Sequence, residues 1–337
     1  MHLGLDVGYG YTKGISGQNK RVLFPSVVAR GFERAIDPFL KEDTDIIKNL
    51  YVKITTDDSS SSGYYYIGEL AQRSSPFSVF DLNAHRVEIA ETKILMAAAS
   101  ALLVDKDTAE FKVVTGLPLK QYKAQKDAFM GQIKNFEAVV EFPDYNIKRV
   151  IKFTDVNVFP QAAGAVYTAL TMPNVYDYFI KNTYIVLVDI GFKTSDFATF
   201  YYNGKLDFIP DLSNTIDIGI SRVLNFIDKI YTQKTGANAD LETLMTIIRE
   251  GRIYYRRKFI DFTNELNELK KETFQAVMKA VLNTLGDKYE RISTVFVAGG
   301  GAVDLFMQLK DAHYKLVVIP DPQFANAKGF LKVAQSM

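Results

Sequence analysis

A chain of 337 residues is longer than one typical domain and sufficient for two, each able to bury a core of its own. Lysine and arginine (40) nearly balance aspartate and glutamate (39), so no overall charge draws the chain to nucleic acid or an anionic membrane, and contact with DNA would be local or made through a partner. Cysteine is absent, which excludes disulfides, thiolate metal sites and cysteine nucleophiles, while the isolated histidines His2, His85 and His313 argue against a histidine zinc site or a Ser-His-Asp triad.

The first residues enter a strand pattern without the basic and apolar segments of a signal peptide, and no apolar run reaches the roughly 20 residues that span a bilayer. A cytoplasmic location is therefore expected. Residues 3–16 (LGLDVGYGYTKGIS) read as strand, tight Gly turn and strand, and residues 20–24 as a third strand antiparallel to them. Residues 25–58 are mixed in character and run into DDSSSSG (57–63), whose composition predicts an exposed, flexible loop. A strand at 64–67 and a short helix at 68–71 follow. Residues 87–104 (VEIAETKILMAAASALLV) predict a helix that is apolar on more than one face and buried against a sheet. Next come a strand at 111–115, a turn at 116–119, a helix at 120–133 and a hairpin of strands 138–142 and 148–153. A separate short strand is expected at 155–159, before Pro160, and a helix at 161–171. The boundary between two lobes is placed near Pro160.

After a break at 172–174 and a short helix, residues 185–199 (IVLVDIGFKTSDFAT) repeat the opening pattern. Residues 205–212 predict a strand, 217–231 a turn and then a helix, and 241–249 and 264–285 two more helices. The last of these is amphipathic, with Leu266, Leu269, Phe274, Val277, Val281 and Leu285 near one face. A strand at 293–298 leads to three glycines and a helix at 303–309, and a strand at 316–319 and a helix at 324–334 close the chain. The basic run Arg249, Arg252, Arg256, Arg257 and Lys258 reads as a solvated helix face, with a cover for a bound base or a partner surface as the other reading.

Aligned on Asp6 and Asp189, the two repeats share an apolar run, Asp, an apolar residue, Gly, an aromatic residue, two variable residues, then Thr or Ser. Gly8 and Gly10 let the backbone turn tightly with its amides exposed, which makes a concave anion site, and Thr12 and Lys13 would add a hydroxyl and a charge. Asp6 would meet repulsion from a phosphate, so its useful role is to hold water around a bound Mg²⁺. The second copy offers Gly191, Phe192, Lys193, Thr194 and Asp196. Two such units closing on one polyphosphate would form a clamp. Gly299, Gly300 and Gly301 sit after a strand and before a helix but lack the spacing of a dinucleotide fingerprint, and a Walker phosphate loop is absent.

The order of these parts carries a resemblance. The opening strand-turn, Pro160-Gln161-Ala162-Ala163-Gly164 at a helix start, the second Asp-x-Gly turn at Asp189, the late AGGG (298–301) and the closing QFANAKG (323–329) together resemble the actin, sugar kinase and heat-shock chaperone ATPase superfamily. Within it the chain is most similar to ParM-like plasmid-segregation actins and archaeal actin-like proteins, through IGELA (67–71) and GLPLKQY (116–122) as well. The resemblance implies an α/β, two-lobed actin-like ATPase fold with a duplicated ribonuclease-H-like core and a nucleotide cleft between lobes. It places residues 1–160 and 320–337 in the first lobe, with a smaller insertion near 25–85, and residues 161–319 in the second, with one near 213–285.

It also implies residue roles. Asp6, Gly8, Tyr9, Gly10, Thr12 and Lys13 match the first phosphate loop, and Asp189, Gly191, Lys193, Thr194 and Asp196 the second. Asp6 and Asp189 would hold Mg²⁺ through water, and Gln161 would orient the attacking water. Gly299, Gly300, Gly301 and Ala302 match the adenosine side, and Gly219 would approach the nucleotide. Phe192 and Lys193 depart from the small residues of many relatives, and Lys193 either contacts phosphate or faces solvent. The implied function is an ATPase, using ATP or GTP with Mg²⁺, that polymerises with itself and moves plasmid DNA through an adaptor on centromeric DNA, without direct membrane or nucleic-acid contact. A small-molecule kinase of the same superfamily and a non-motile nucleotide-binding scaffold are the alternatives.

Overall fold

The computed structural model describes residues 1–33, 45–74, 89–305 and 314–337. The chain divides into two units, residues 1–172 with 324–337 and residues 173–323. The division falls at Met172 rather than near Pro160, and at Gln323 rather than 319, because the helix opened by Gln161 packs on the closing helix of the chain. Parts of the expected insertion near 25–85, the first residues of the helix expected at 87–104 and residues 306–309 lie outside the described residues.

In the first unit the elements are β1 (His2–Val7), β2 (Tyr11–Ser16), β3 (Arg21–Pro25), β4 (Val28–Arg30), β5 (Leu50–Thr56), β6 (Gly63–Ile67), α1 (Glu69–Ser74), α2 (Ile89–Leu102), β7 (Thr108–Leu117), α3 (Leu119–Ile133), β8 (Glu137–Phe142), β9 (Ile147–Pro160) and α4 (Gln161–Ala169). They build one nine-stranded sheet in the order β3-β2-β1-β7-β9-β8-β5-β6-β4. β7 runs parallel to both β1 and β9, and the remaining pairs are antiparallel. Strands β4 to β6, from the expected insertion, thus extend the main sheet.

Leu95, Met96, Ala97, Ala98 and Ala99 of α2 are all fully buried, as a helix without a polar face requires. β9 is one strand where two were expected. The break is a bulge: the register against β7 shifts between Phe111 and Lys112, and Thr154 Oγ1 donates to Phe111 O at 3.2 Å. DDSSSSG is exposed at Asp57, Asp58 and Ser59, as its composition predicts, and is held by local bonds. Ser61 is fully buried, Thr56 N donates to Ser62 Oγ at 3.0 Å, and Asp58 pairs with Lys93 of α2 at 3.1 Å. Serine hydroxyls supply these bonds locally, which composition alone does not reveal.

The second unit contains β10 (Thr183–Ile190), β11 (Ser195–Tyr202), β12 (Leu206–Phe208), β13 (Asn214–Ile216), α5 (Ser221–Thr235), α6 (Leu241–Glu250), β14 (Arg252–Tyr255), β15 (Lys258–Asp261), α7 (Thr263–Leu285), β16 (Ile292–Ala298), α8 (Gly300–Leu305) and β17 (Lys315–Val318), and α9 (Ala325–Gln335) returns to the first unit. Its sheet runs β12-β11-β10-β16-β17, with β13 also on β11. The strand expected at 205–212 stops at Phe208, because Pro210 cannot donate to a ladder and opens a 3₁₀ turn. Of the basic run, Arg249 alone lies on a helix. α6 ends at Glu250 with Gly251 in the left-handed region, and Arg252 to Lys258 form a hairpin whose turn residues Arg256 and Arg257 both have positive φ.

Candidate functional site

The two repeats fold alike. β1–β2 and β10–β11 are antiparallel hairpins in which Asp6 faces Lys13 and Asp189 faces Asp196. Each hairpin carries the same bond at the base of its turn, Gly8 N to Tyr11 O at 3.1 Å and Gly191 N to Thr194 O at 2.9 Å. The first strand of each hairpin then pairs in parallel with a later strand, β1 with β7 and β10 with β16. The repeat seen in the sequence is therefore a repeat of structure, with an aspartate at the same place in both copies.

In the first unit the structure brings Asp6, Lys13 and Gln161 together. Asp6 is 2% exposed, and its Oδ2 accepts from Lys13 Nζ at 3.0 Å while its Oδ1 accepts from Gln161 Nε2 at 3.1 Å. Lys13 is set by register, directly across the hairpin from Asp6. Gln161 is set by α4, which begins where β9 ends at Pro160. Thr12 departs from expectation: its hydroxyl is fully buried and shares a hydrogen bond with Ser26 Oγ at 2.9 Å. Gly10 holds the same segment, accepting from Ser26 N at 2.9 Å.

Sequence reasoning missed Gln121, whose Nε2 donates to the Tyr9 hydroxyl at 2.9 Å and so ties α3 to the turn. Its place in GLPLKQY, just inside a helix start after a strand, was the available signal. Behind the turn lies a cavity of about 30 Å³ lined by Val7, Gly8, Tyr9, Thr115, Gln121 and Gln161, large enough for water.

The second unit holds its own group of predicted residues. Asp189, 7% exposed, is the last residue but one of β10, and Asp196 opposite it accepts a hydrogen bond from Thr215 Oγ1. Thr194 is buried, while Gly191, Phe192 and Lys193 are half-buried. Gly219 lies against the turn itself: a Cβ there would overlap Phe192 O, and Ile220 N and Ser221 N donate to Gly191 O and Phe192 O at 3.2 and 2.8 Å. Its lack of a side chain is explained by backbone packing.

Gly299, with φ +89, has the same kind of reason, since a Cβ would overlap Ile190 O and Asp189 Oδ1. Gly301 and the fully buried Ala302 pack inward as well, Gly301 against Ile190 and Ile220. At Gly300, which opens α8, the nearest neighbour is Gln323 at 3.9 Å. The third predicted element thus gathers next to the second turn, with Gly300 the one of its three glycines that has room.

Residues 4–164 match the family described as "Actin like proteins N terminal domain", and residues 187–311 match "Archaeal actin homologue MreB-like, C-terminal". The fold is that of the actin-like ATPase superfamily, and the chain belongs to the actin-like protein family. Among solved structures it is similar to the ParM of a 15-stranded filament from Clostridium botulinum, with 33% identity, 100% of this chain and 99% of that one covered, and a TM-score of 0.88. The archaeal actin homolog of Thermoplasma volcanium is 24% identical over 352 residues, covering 99% of this chain and 98% of its own. The crystal structure of an archaeal actin homolog in complex with ADP shares the fold, at 20% identity, 100% and 99% coverage and a TM-score of 0.78.

A buried carboxylate near a strand end suits a hard cation that keeps most of its water shell, and Asp6 and Asp189 each have that donor chemistry. Both Asp6 oxygens are already engaged, and water-mediated contact is the mode that leaves the Lys13 and Gln161 bonds in place. Among the described residues no helix is long and apolar enough to cross a membrane.

Proposed function

We propose that this protein is a filament-forming ATPase that assembles with bound nucleoside triphosphate, hydrolyses it after assembly and moves plasmid DNA through an adaptor. The observation that carries the reading is the structural repeat of the Asp-x-Gly turn, joined to full-length similarity at 33% identity to a ParM that forms a filament.

Each turn receives phosphate oxygens on its amides, with the glycines giving the backbone room to be approached. Lys13 supplies a positive charge beside those oxygens and is held there by Asp6. Gln161, with its Nε2 committed to Asp6, directs its Oε1 to accept from the attacking water. A glutamine is no base, so its part is placement, consistent with slow, switch-like turnover. Asp6 and Asp189 would each hold water of a Mg²⁺ shell, and the ion when bound would supply neutralisation of phosphate charge. Gly300 takes the nucleoside side. Loss of the γ-phosphate removes contacts to the turns, and with them the bias toward the assembling state.

The test is light scattering and pelleting with Mg-ATP, with Mg-GTP and without nucleotide, with phosphate release followed in parallel. Nucleotide-dependent pelleting that precedes phosphate release is expected. A soluble monomer that releases phosphate only when a sugar or other acceptor is added would sink the reading.

A further inference from the structure

β7 and β9 are parallel neighbours, with Leu117 opposite Pro160, and each runs through a proline into a helix. Pro118 and Pro160 cap α3 and α4 with extended backbone, φ −49°, ψ 143° and φ −61°, ψ 137°. Proline cannot donate to a ladder, so both strands stop there and both helices begin at the carboxyl edge of the sheet. In open α/β sheets that edge is where ligands are bound. Each helix puts a glutamine in its first turn, Gln161 at the first position of α4 and Gln121 at the third of α3.

Both glutamines hold the first hairpin. Gln161 Nε2 donates to Asp6 Oδ1 at 3.1 Å, next to the end of β1, and Gln121 Nε2 donates to the Tyr9 hydroxyl at 2.9 Å, in the turn. Tyr9 stands between Gly8 and Gly10, and glycine is the residue type with the most conformational freedom to lose. Main-chain bonds restrain the edges of this tripeptide, Gly8 N to Tyr11 O at 3.1 Å and Ser26 N to Gly10 O at 2.9 Å. The bond from Gln121 restrains its middle, and does so from a helix rather than from the hairpin itself.

The other half of the Gln121 amide points to a use beyond bracing. Its Oε1 is buried and has no hydrogen-bond partner among the described residues. An acceptor left in that state offsets much of what the bond to Tyr9 contributes to folding, so stability alone is a poor reason for the residue. Gln121 lines the cavity of about 30 Å³ behind the turn, together with Gln161 and Thr115, and the cavity has room for water. A water donating to Oε1 completes the amide and fixes which way it faces.

We propose that Gln121 is a positioning residue of the first turn. It fixes Tyr9 at the tip as Gln161 fixes Asp6 at the base, and so holds the amides of Gly8 to Gly10 in the shape that receives phosphate before the ligand arrives. The cost of ordering the turn then falls on folding and not on binding. The proposal rests on the reading of this turn as a phosphate site and adds the residue that presets it.

The test uses the full chain, below the concentration at which it pellets, and three variants: Gln121→Leu, Tyr9→Phe and the two combined. Equilibrium titration measures affinity for Mg-ATP, and competition measures it for adenosine, with Mg-GTP and guanosine instead if the wild type prefers them. The urea midpoint reports folding. Each single variant should bind the triphosphate about 3- to 10-fold more weakly, the worth of one hydrogen bond. The double variant should lose no more than either single one, because all three lack the same bond. Affinity for the nucleoside, which carries no phosphate, should not change. Triphosphate binding at the wild-type level in either single variant overturns the proposal. So do losses that multiply in the double variant, or a nucleoside affinity that falls in step, which makes the bond a structural brace only. Should Gln121→Leu fail to fold, Tyr9→Phe removes the same bond and carries the test. A wild-type chain that binds no triphosphate overturns the reading of the site, and this proposal with it.

Discussion

Asp6 is held between a cation and an amide, and both are positioned by backbone rather than by chance of rotamer: Lys13 by the hairpin register, Gln161 by the start of α4. Asp6→Ala should therefore abolish nucleotide binding or turnover, read by nucleotide-dependent pelleting and phosphate release, since it also frees Lys13 and Gln161 from their places. Gln161→Ala should leave assembly intact and slow hydrolysis, by about tenfold or more for a group that only places water; unchanged phosphate release would remove Gln161 from its role. The placing of Asp6, Asp189, Gly8, Gly191 and Gln161 at turns and a helix start was legible in the sequence, because their spacing follows from a strand, a tight turn and a helix start. Thr12 was misread. Side chains alternate along a strand, so with Lys13 on the side of Asp6, Thr12 must face the other way, where Ser26 meets it. Gln121 was hidden for another reason, since its partner Tyr9 is 112 residues away.

α9 shows what a close helix crossing demands. Cβ atoms added at Gly329, Gly164 or Gly4 would overlap Gly164 O, Phe330 with Asn326 O, and Ala327 O respectively. Gly329→Ala should destabilise the protein by about 1–3 kcal/mol, as overpacking does, with a lower urea midpoint. The conservative change matters here because the obstacle is main chain, which cannot turn aside. The β14–β15 turn offers the reverse case. Replacing Arg256 and Arg257 by Asn and Gly should stabilise the hairpin by about 1 kcal/mol through relief of the left-handed conformation, measured as a raised thermal midpoint. From sequence the basic run looked like a helix face because Leu241 to Glu250 set a helical period just before it; Gly251 ends that helix, and the alternation that follows is too short to announce a two-stranded ribbon.

For the molecule as a whole, ligand binding and stability are linked. Saturating nucleotide at about 100 times its Kd should add about 2.7 kcal/mol to the stability of the chain, visible as an upward thermal shift that Asp6→Ala removes. The sequence by itself determined the repeated strand-turn-strand, the all-apolar α2 and the actin-like order of parts, because each depends on a local period or on turn residues within a few positions. Tertiary structure decided where the units divide and what the late glycines do. Asn326 Oδ1 accepts from Ala165 N across 161 residues, which assigns α4 and Gln161 to the first unit, and Gly299 is glycine because Asp189 and Ile190 lie against it. Contacts between residues so distant along the chain leave no period in it, and only packing brings them together.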